Sequence, residues 1–125
     1  MPRPDVVRRV KSYSAANGYV YQYQFHEVNR IQQDGARCIE FVYWISADRA
    51  KSFALRVRVL EEALASWAQV NGRPLTSSEE YAVAKMRLFQ AFDEGAAPLT
   101  AEAGGAKPIF VDGSNLEELL QQLNI

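Results

Sequence analysis

The single histidine and the single cysteine are the residues with which this chain could build a nucleophilic site. His26 and Cys38 lie in two neighbouring segments that predict a β-hairpin turning at Asp34-Gly35. The register that we favour places Cys38 opposite Arg30, four residues along the strand from His26. At about 3.3 Å per residue the thiol and the imidazole are then roughly 13 Å apart. We therefore expect no cysteine nucleophile, and these two residues are too few for a metal centre.

Two glutamates and one lysine are further candidates for chemistry. Strand alternation predicts that Glu27 and Glu40 lie on opposite faces of the hairpin, so they should not act as a carboxylate pair. Glu27 falls on an aromatic face, where it either lies beyond the covered core or has a perturbed pKa. Lys85 lies among apolar side chains of a predicted helix, so its ammonium either reaches water along its stem or is desolvated, with a lowered pKa.

Recognised catalytic motifs are missing from the sequence. It contains no glycine-rich phosphate loop, GxSxG elbow, HExxH, EF-hand loop or paired CxxC. We predict no metal and no cofactor, and the balance of these observations favours a protein that is not an enzyme.

Length and composition predict one folded domain. The chain has 125 residues, of which 48% are hydrophobic and 23% charged, close to average globular usage. No apolar run is long enough to span a membrane and no basic start precedes an apolar segment, so we expect a soluble, cytoplasmic protein. Residues 1–60 carry ten basic against five acidic side chains and residues 61–125 carry four against ten. This asymmetry indicates either mutual neutralisation of the two halves or an anionic partner.

The strands that must position these residues are predicted by alternation. Residues 19–28 place four aromatic side chains on one face, residues 37–46 form the return strand, and residues 52–59 form a third, antiparallel strand. A two-residue Asp34-Gly35 loop would mix the two faces, whereas a three-residue loop with a glycine bulge segregates them. We predict the second register, which aligns Tyr21, Tyr23 and Phe25 with Ala47, Ile45 and Tyr43.

Two helices and a tail follow the strands. Apolar spacing predicts a helix over residues 60–70 that stops at Asn71-Gly72, and Ser77 and Glu80 have the spacing of a capping box for a second helix that ends near Glu94. The second helix is apolar over so much of its surface that we expect two covers. Residues 108–111 predict a short strand, and residues 114–123 a helix with a leucine stripe. This tail is a candidate for the second cover, either on its own subunit or on a neighbouring one.

The predicted fold is α+β, an antiparallel sheet of three to four strands with two helices packed on one face and a C-terminal strand-helix tail. The predicted organisation is a core domain over residues 1–94, a flexible linker over 95–107 and the tail over 108–125.

Function is predicted only as a class. We expect a non-enzymatic protein-interaction or assembly module, a homo-oligomer and most simply a dimer. Its candidate assembly surface is Leu116, Leu119, Leu120, Leu123, Met86 and Phe89. One alternative is a single-stranded nucleic-acid-binding domain that uses a basic sheet face made of Trp44, Arg30, Arg56, Arg58 and His26. Another is a small-ligand or enzymatic pocket between sheet and helices.

Overall fold

The computed structural model describes residues 9–47, 51–94 and 107–125. Eight elements follow one another along these parts of the chain. They are β1 (Lys11–Ser14), β2 (Val20–Gln33), β3 (Ala36–Ala47), β4 (Phe53–Leu60), α1 (Glu61–Asn71), α2 (Ser77–Asp93), β5 (Ile109–Val111) and α3 (Leu116–Gln122). No helix in these residues combines the length and the apolar character that crossing a membrane requires.

The five strands form one curled sheet in the order β1-β2-β3-β4-β5. The first four are antiparallel to their neighbours, and β5 runs parallel to β4. The prediction of an antiparallel sheet of three to four strands with two helices is therefore wrong, because the sheet is mixed and three helices accompany it. The cause is the crossover: α1 and α2 intervene between β4 and β5, which returns the chain to the sheet in the parallel direction.

The β2–β3 hairpin contains a bulge that the sequence did not reveal. The predicted pairs Tyr21 with Ala47, Tyr23 with Ile45 and Phe25 with Tyr43 are confirmed. Beyond them Glu27 pairs with Val42 and Cys38 pairs with Ile31 rather than Arg30, so the predicted register is wrong from His26 onwards.

One extra residue is needed to keep the aromatic side chains on one face of the hairpin and the polar ones on the other. That residue is His26 in β2, not a residue of the turn. The turn itself has two residues, because Gln33 pairs with Ala36. Asp34 and Gly35 both have positive φ, 52° and 79°, as a tight hairpin turn of this kind requires.

An aromatic core joins α2 to the inner face of the sheet, the face that the helices cover. Phe92 is fully buried and stacks on Tyr21 with ring centroids 4.1 Å apart, while Phe89 stacks on Tyr13 at 4.2 Å. Such rings bury large apolar areas and add the favourable interaction of offset stacking. The core thereby fixes α2 against β1 and β2.

The C-terminal tail covers α2 within the same chain. Leu116, Leu119 and Leu120 of α3 are buried in the core cluster, and so is Val111 of β5. The wide apolar surface of α2 therefore has the two covers that were expected, the sheet and the tail. Of the predicted linker over 95–107, only Lys107 lies inside the described residues.

A capping box starts α2, one residue earlier than predicted. The Thr76 hydroxyl accepts a hydrogen bond from the Glu79 backbone, and the Glu79 carboxylate accepts one from the Thr76 backbone. Ser77 and Glu80 have the same spacing, so spacing alone could not choose between the two pairs. Arg73 favours the pair of Thr76 and Glu79, because its guanidinium donates to both Glu79 carboxylate oxygens at 2.8 and 3.0 Å.

This capping box predicts a specific acid sensitivity. The hydrogen bonds from Arg73 and from the Thr76 backbone lower the pKa of Glu79 to about 2. A lowered pKa contributes stability that is present above the unfolded pKa of about 4.3 and is lost as the pH falls towards 2. The thermal midpoint of Glu79→Gln should therefore lie below that of the unsubstituted protein at pH 7, and the two midpoints should converge between pH 4.3 and 2. A difference that stays constant with pH contradicts this account, and Glu117→Gln is the exposed control.

Candidate functional site

The outer face of the sheet, which points away from the helices, is the candidate interaction surface. We define the outer face by the side chains that alternate with the core residues of β2 to β5, together with those that the bulge redirects. It includes Val20, Gln22, Gln24, His26, Glu27, Asn29, Ile31, Cys38, Glu40, Val42, Trp44, Ser46, Ala54, Arg56, Arg58 and Phe110. No described helix packs on it, which is a common arrangement for a sheet that is mostly antiparallel.

The bulge brings His26 and Glu27 together on the outer face. The His26 imidazole lies against the Trp44 ring, with centroids 5.7 Å apart, and its Nε2 is 3.7 Å from a carboxylate oxygen of Glu27. Glu27 pairs with Val42, an outer-face residue, so it does not lie on the aromatic face as predicted. The prediction that Glu27 and Glu40 lie on opposite faces is wrong for the same reason.

A buried ion pair stands at the centre of the outer face. Glu40 is 8% exposed, and its carboxylate accepts a hydrogen bond of 2.9 Å from Nε of Arg58. Arg56 approaches the other carboxylate oxygen more loosely, at 3.9 Å. Removing one partner of a buried pair leaves an uncompensated charge, so Glu40 and Arg58 hold each other in the sheet. The Arg58 guanidinium is consequently already engaged within the chain.

The predicted basic surface is divided between two faces. Trp44, His26, Arg56 and Arg58 share the outer face, whereas Arg30 pairs with the core residue Ile39 and points to the helix side. There its guanidinium lies 3.6 Å from the Glu61 carboxylate of α1. The bulge at His26 reverses the direction of Arg30, so the structure does not bring all five side chains together.

Large apolar side chains remain exposed on the outer face. Trp44 is 42% exposed, and Phe110 and Val20 are comparably open. Phe110 pairs with Arg58 from the last strand, which places an aromatic ring at the β5 edge of this face. Exposed aromatic side chains on a rigid sheet are typical anchors of protein interfaces.

One lateral row across the outer face carries opposite charges at its two ends. Glu27 on β2 pairs with Val42 on β3, and Val42 pairs with Arg56 on β4. The Glu27 and Arg56 side chains are 48% and 43% exposed, while Val42 is buried between them. With strands about 4.8 Å apart, the acidic and basic ends lie roughly 10 Å from each other. The row is thus acidic on the β2 side and basic on the β4 side.

Cys38 lies in the outer face but has no sign of nucleophilic activation. It is 2% exposed, and burial raises the pKa of its thiol above the ordinary value, with the Arg58 charge opposing this only in part. A nucleophilic cysteine needs the opposite, a lowered pKa and access to solvent. Within the described parts of the chain, no three His, Cys, Asp or Glu side chains converge as a metal site would need.

The predicted assembly surface is largely occupied within the chain. Leu116, Leu119 and Leu120 are buried, and Leu123, Met86 and Phe89 pack partly buried against the same core. In this conformation the leucine stripe therefore faces its own α2 rather than solvent.

Sequence reasoning missed three contributors to the outer face. Glu27 and Asn29 were hidden by the bulge, and Asn29 donates a 2.9 Å hydrogen bond to the Glu27 carboxylate. Phe110 was hidden because the partner of β5 was unknown. The available signal was the mixed character of residues 26–33, where strict alternation of apolar and polar residues fails.

Comparison with known proteins does not identify this site. No family model matches the chain, and no curated protein or solved structure matches it either.

Proposed function

We propose that this protein is a non-enzymatic assembly module that forms a homodimer through the outer face of its sheet. The lateral row with Glu27 at one end and Arg56 at the other supports this proposal most directly. A two-fold axis that lies parallel to β3, above Val42 and in the plane between two subunits, places one outer face against the other. It also puts β2 of one subunit opposite β4 of its partner. Arg56 then lies above Glu27 of the partner subunit, and the contact occurs twice.

Trp44 lies on the same strand as Val42, two residues away and on the same face. The axis therefore brings the two Trp44 rings together near the centre of the interface, where buried aromatic anchors contribute most. Ala54, its small neighbour on β4, leaves room beside the ring. Two sheets packed face to face in this way lie about 10 Å apart.

The charge of the outer face favours a second copy over a nucleic acid. A polyanion needs free cations, yet Arg58 is bonded to Glu40 and Arg30 lies on the helix side. Glu27 and Glu40 add two negative charges to the face that would contact phosphates. These side chains suit a partner that carries both signs of charge, which is what a copy of the same face provides.

The test of the homodimer is light scattering coupled to size exclusion on the full chain. We expect a particle of twice the 14.1 kDa chain mass. Trp44→Glu should give a folded monomer, because two carboxylates would replace the stacked rings at the axis. Val70→Glu is the matched control, since Val70 is 85% exposed but lies on α1, away from the outer face. A monomeric full chain, or a dimer that survives Trp44→Glu, contradicts the proposal.

A further inference from the structure

Three tyrosines lie close together between the sheet and α2. Tyr23 and Tyr43 lie on the inner face of adjacent strands, and Tyr81 approaches them from α2. The Tyr43 and Tyr81 rings both pack edge-on against the Phe25 ring, with centroids 5.8 and 5.4 Å from it. Burial is the main cause that raises the pKa of all three tyrosines, and the nearby Tyr81 raises those of Tyr23 and Tyr43 further. The three phenols form one group of hydrogen-bond donors.

The innermost of these hydroxyls is incompletely satisfied. Tyr43 is 0% exposed, and its hydroxyl has no well-formed hydrogen bond although it lies beside that of Tyr81. Leaving a buried hydroxyl in this condition costs stability, so its presence in a packed core needs a reason.

Two lysines reach the same group from opposite elements. Lys11 is the register partner of Tyr23 and lies on the same side of the sheet, and Nζ of Lys85 is 5.7 Å from the centre of the Tyr23 ring. Both lysines therefore lie beside Tyr23. Burial first and the Lys11 charge second lower the pKa of Lys85. Two like charges at the edge of an apolar core repel each other unless an anion joins them.

The described side chains provide no such anion. Neither lysine forms an ion pair with a carboxylate in residues 9–47, 51–94 and 107–125. Asp93 of α2 is engaged elsewhere, since its carboxylate accepts hydrogen bonds from the Tyr13 hydroxyl and the Ala16 backbone at 2.9 and 2.8 Å. The cluster therefore holds two cations and three phenol donors without a described counter-charge.

We propose that the cluster of Lys11, Lys85, Tyr23, Tyr43 and Tyr81 is a binding site for an oxyanion, the phosphate or carboxylate group of a small ligand. Lys11, Lys85 and Tyr81 contact the anion directly, because each is only partly buried. Tyr43 is enclosed and acts through Tyr81: once the Tyr81 hydroxyl donates to the anion, its oxygen accepts a hydrogen bond from the Tyr43 hydroxyl, which is unpaired without the ligand. The Phe89 ring, 5.9 Å from Nζ of Lys85, offers an apolar wall for the body of the ligand. This site is on the helix side of the sheet and is independent of the proposed dimer.

Calorimetric titration of the full chain with phenyl phosphate and with benzoate tests the site at constant ionic strength. We expect saturable binding of at least one probe, weakened at least about tenfold by Lys11→Met or Lys85→Met. Lys51→Met, which removes an exposed lysine elsewhere, should leave the affinity unchanged. Tighter binding of phenyl phosphate identifies the ligand group as a phosphate, and tighter binding of benzoate identifies a carboxylate.

Tyr43→Phe adds a readout that does not depend on charge. It removes the unsatisfied hydroxyl, so the variant should melt no lower than the unsubstituted protein while binding the probe more weakly. The proposal is overturned if neither probe saturates, or if Lys51→Met weakens binding as much as Lys85→Met does.

Discussion

A chain that ends at Gly95 should lose its cooperative melting transition and aggregate, because it lacks the tail that covers α2. Leu116, Leu119, Leu120 and Val111 are each at most 3% exposed in the folded chain. Replacing a single buried leucine by alanine costs about 2–5 kcal/mol, and whole domains of this size are stable by only about 5–15 kcal/mol. Loss of all four side chains, and exposure of the surfaces that they cover, therefore exceeds what the remaining core can sustain.

Single substitutions in the tail should lower the free energy of unfolding by smaller amounts that follow the burial of each side chain. Leu119→Ala should lower the free energy of unfolding by about 3 kcal/mol, because Leu119 is fully buried. Leu123→Ala, at the partly buried residue that directly follows this helix, is the matched control and should cost less. Circular dichroism melts together with light scattering measure both effects. A truncated chain that stays free of aggregates with an unchanged melting midpoint contradicts the account.

The elements of the hairpin could be predicted from alternation, but its complete register could not. The aromatic residues from Tyr21 to Phe25 have only one face that buries them, so their pairing with β3 was determined by burial. Burial also required one extra residue somewhere between Phe25 and the return strand. Both a glycine bulge at the turn and a bulge at His26 satisfy that requirement, and only the three-dimensional packing distinguishes them.

The fifth strand was foreseen as a segment but not as part of the sheet. Ile109–Val111 is too short and too far from β4 in sequence for its partner or direction to be inferred. Its parallel pairing follows from the position of α1 and α2, a tertiary feature without a local sequence signal. The mixed sheet was therefore beyond what periodicity could predict.

The candidate surface was foreseen in part. Trp44, Arg56 and Arg58 were assigned to one face because they belong to strands with regular alternation. Arg30 and Glu27 were assigned to the wrong faces because both follow the bulge. The two errors have one cause, the bulge. When they are corrected, the surface that was predicted to be basic carries both signs of charge.

Charge exchange between two subunits tests the proposed homodimer most directly. Arg56→Glu and Glu27→Arg each create two like-charge contacts across the two-fold axis, and such contacts cost several kcal/mol. Each single variant should therefore dissociate at least about a hundredfold more readily than the unsubstituted protein, given about 1.4 kcal/mol per tenfold change. Glu117→Lys, a charge reversal at an exposed position of α3, is the control and should not change the mass.

Mixing the two single variants is the decisive measurement. One chain then has arginine at both positions and the other has glutamate at both, so every contact across the axis again joins opposite charges. Light scattering of the mixture should recover a particle of twice the chain mass, and native mass spectrometry should find one copy of each variant in it. If the mixed variants remain monomers, or if both single variants are dimers as stable as the unsubstituted protein, the proposed pairing of Arg56 with Glu27 of the partner subunit is wrong.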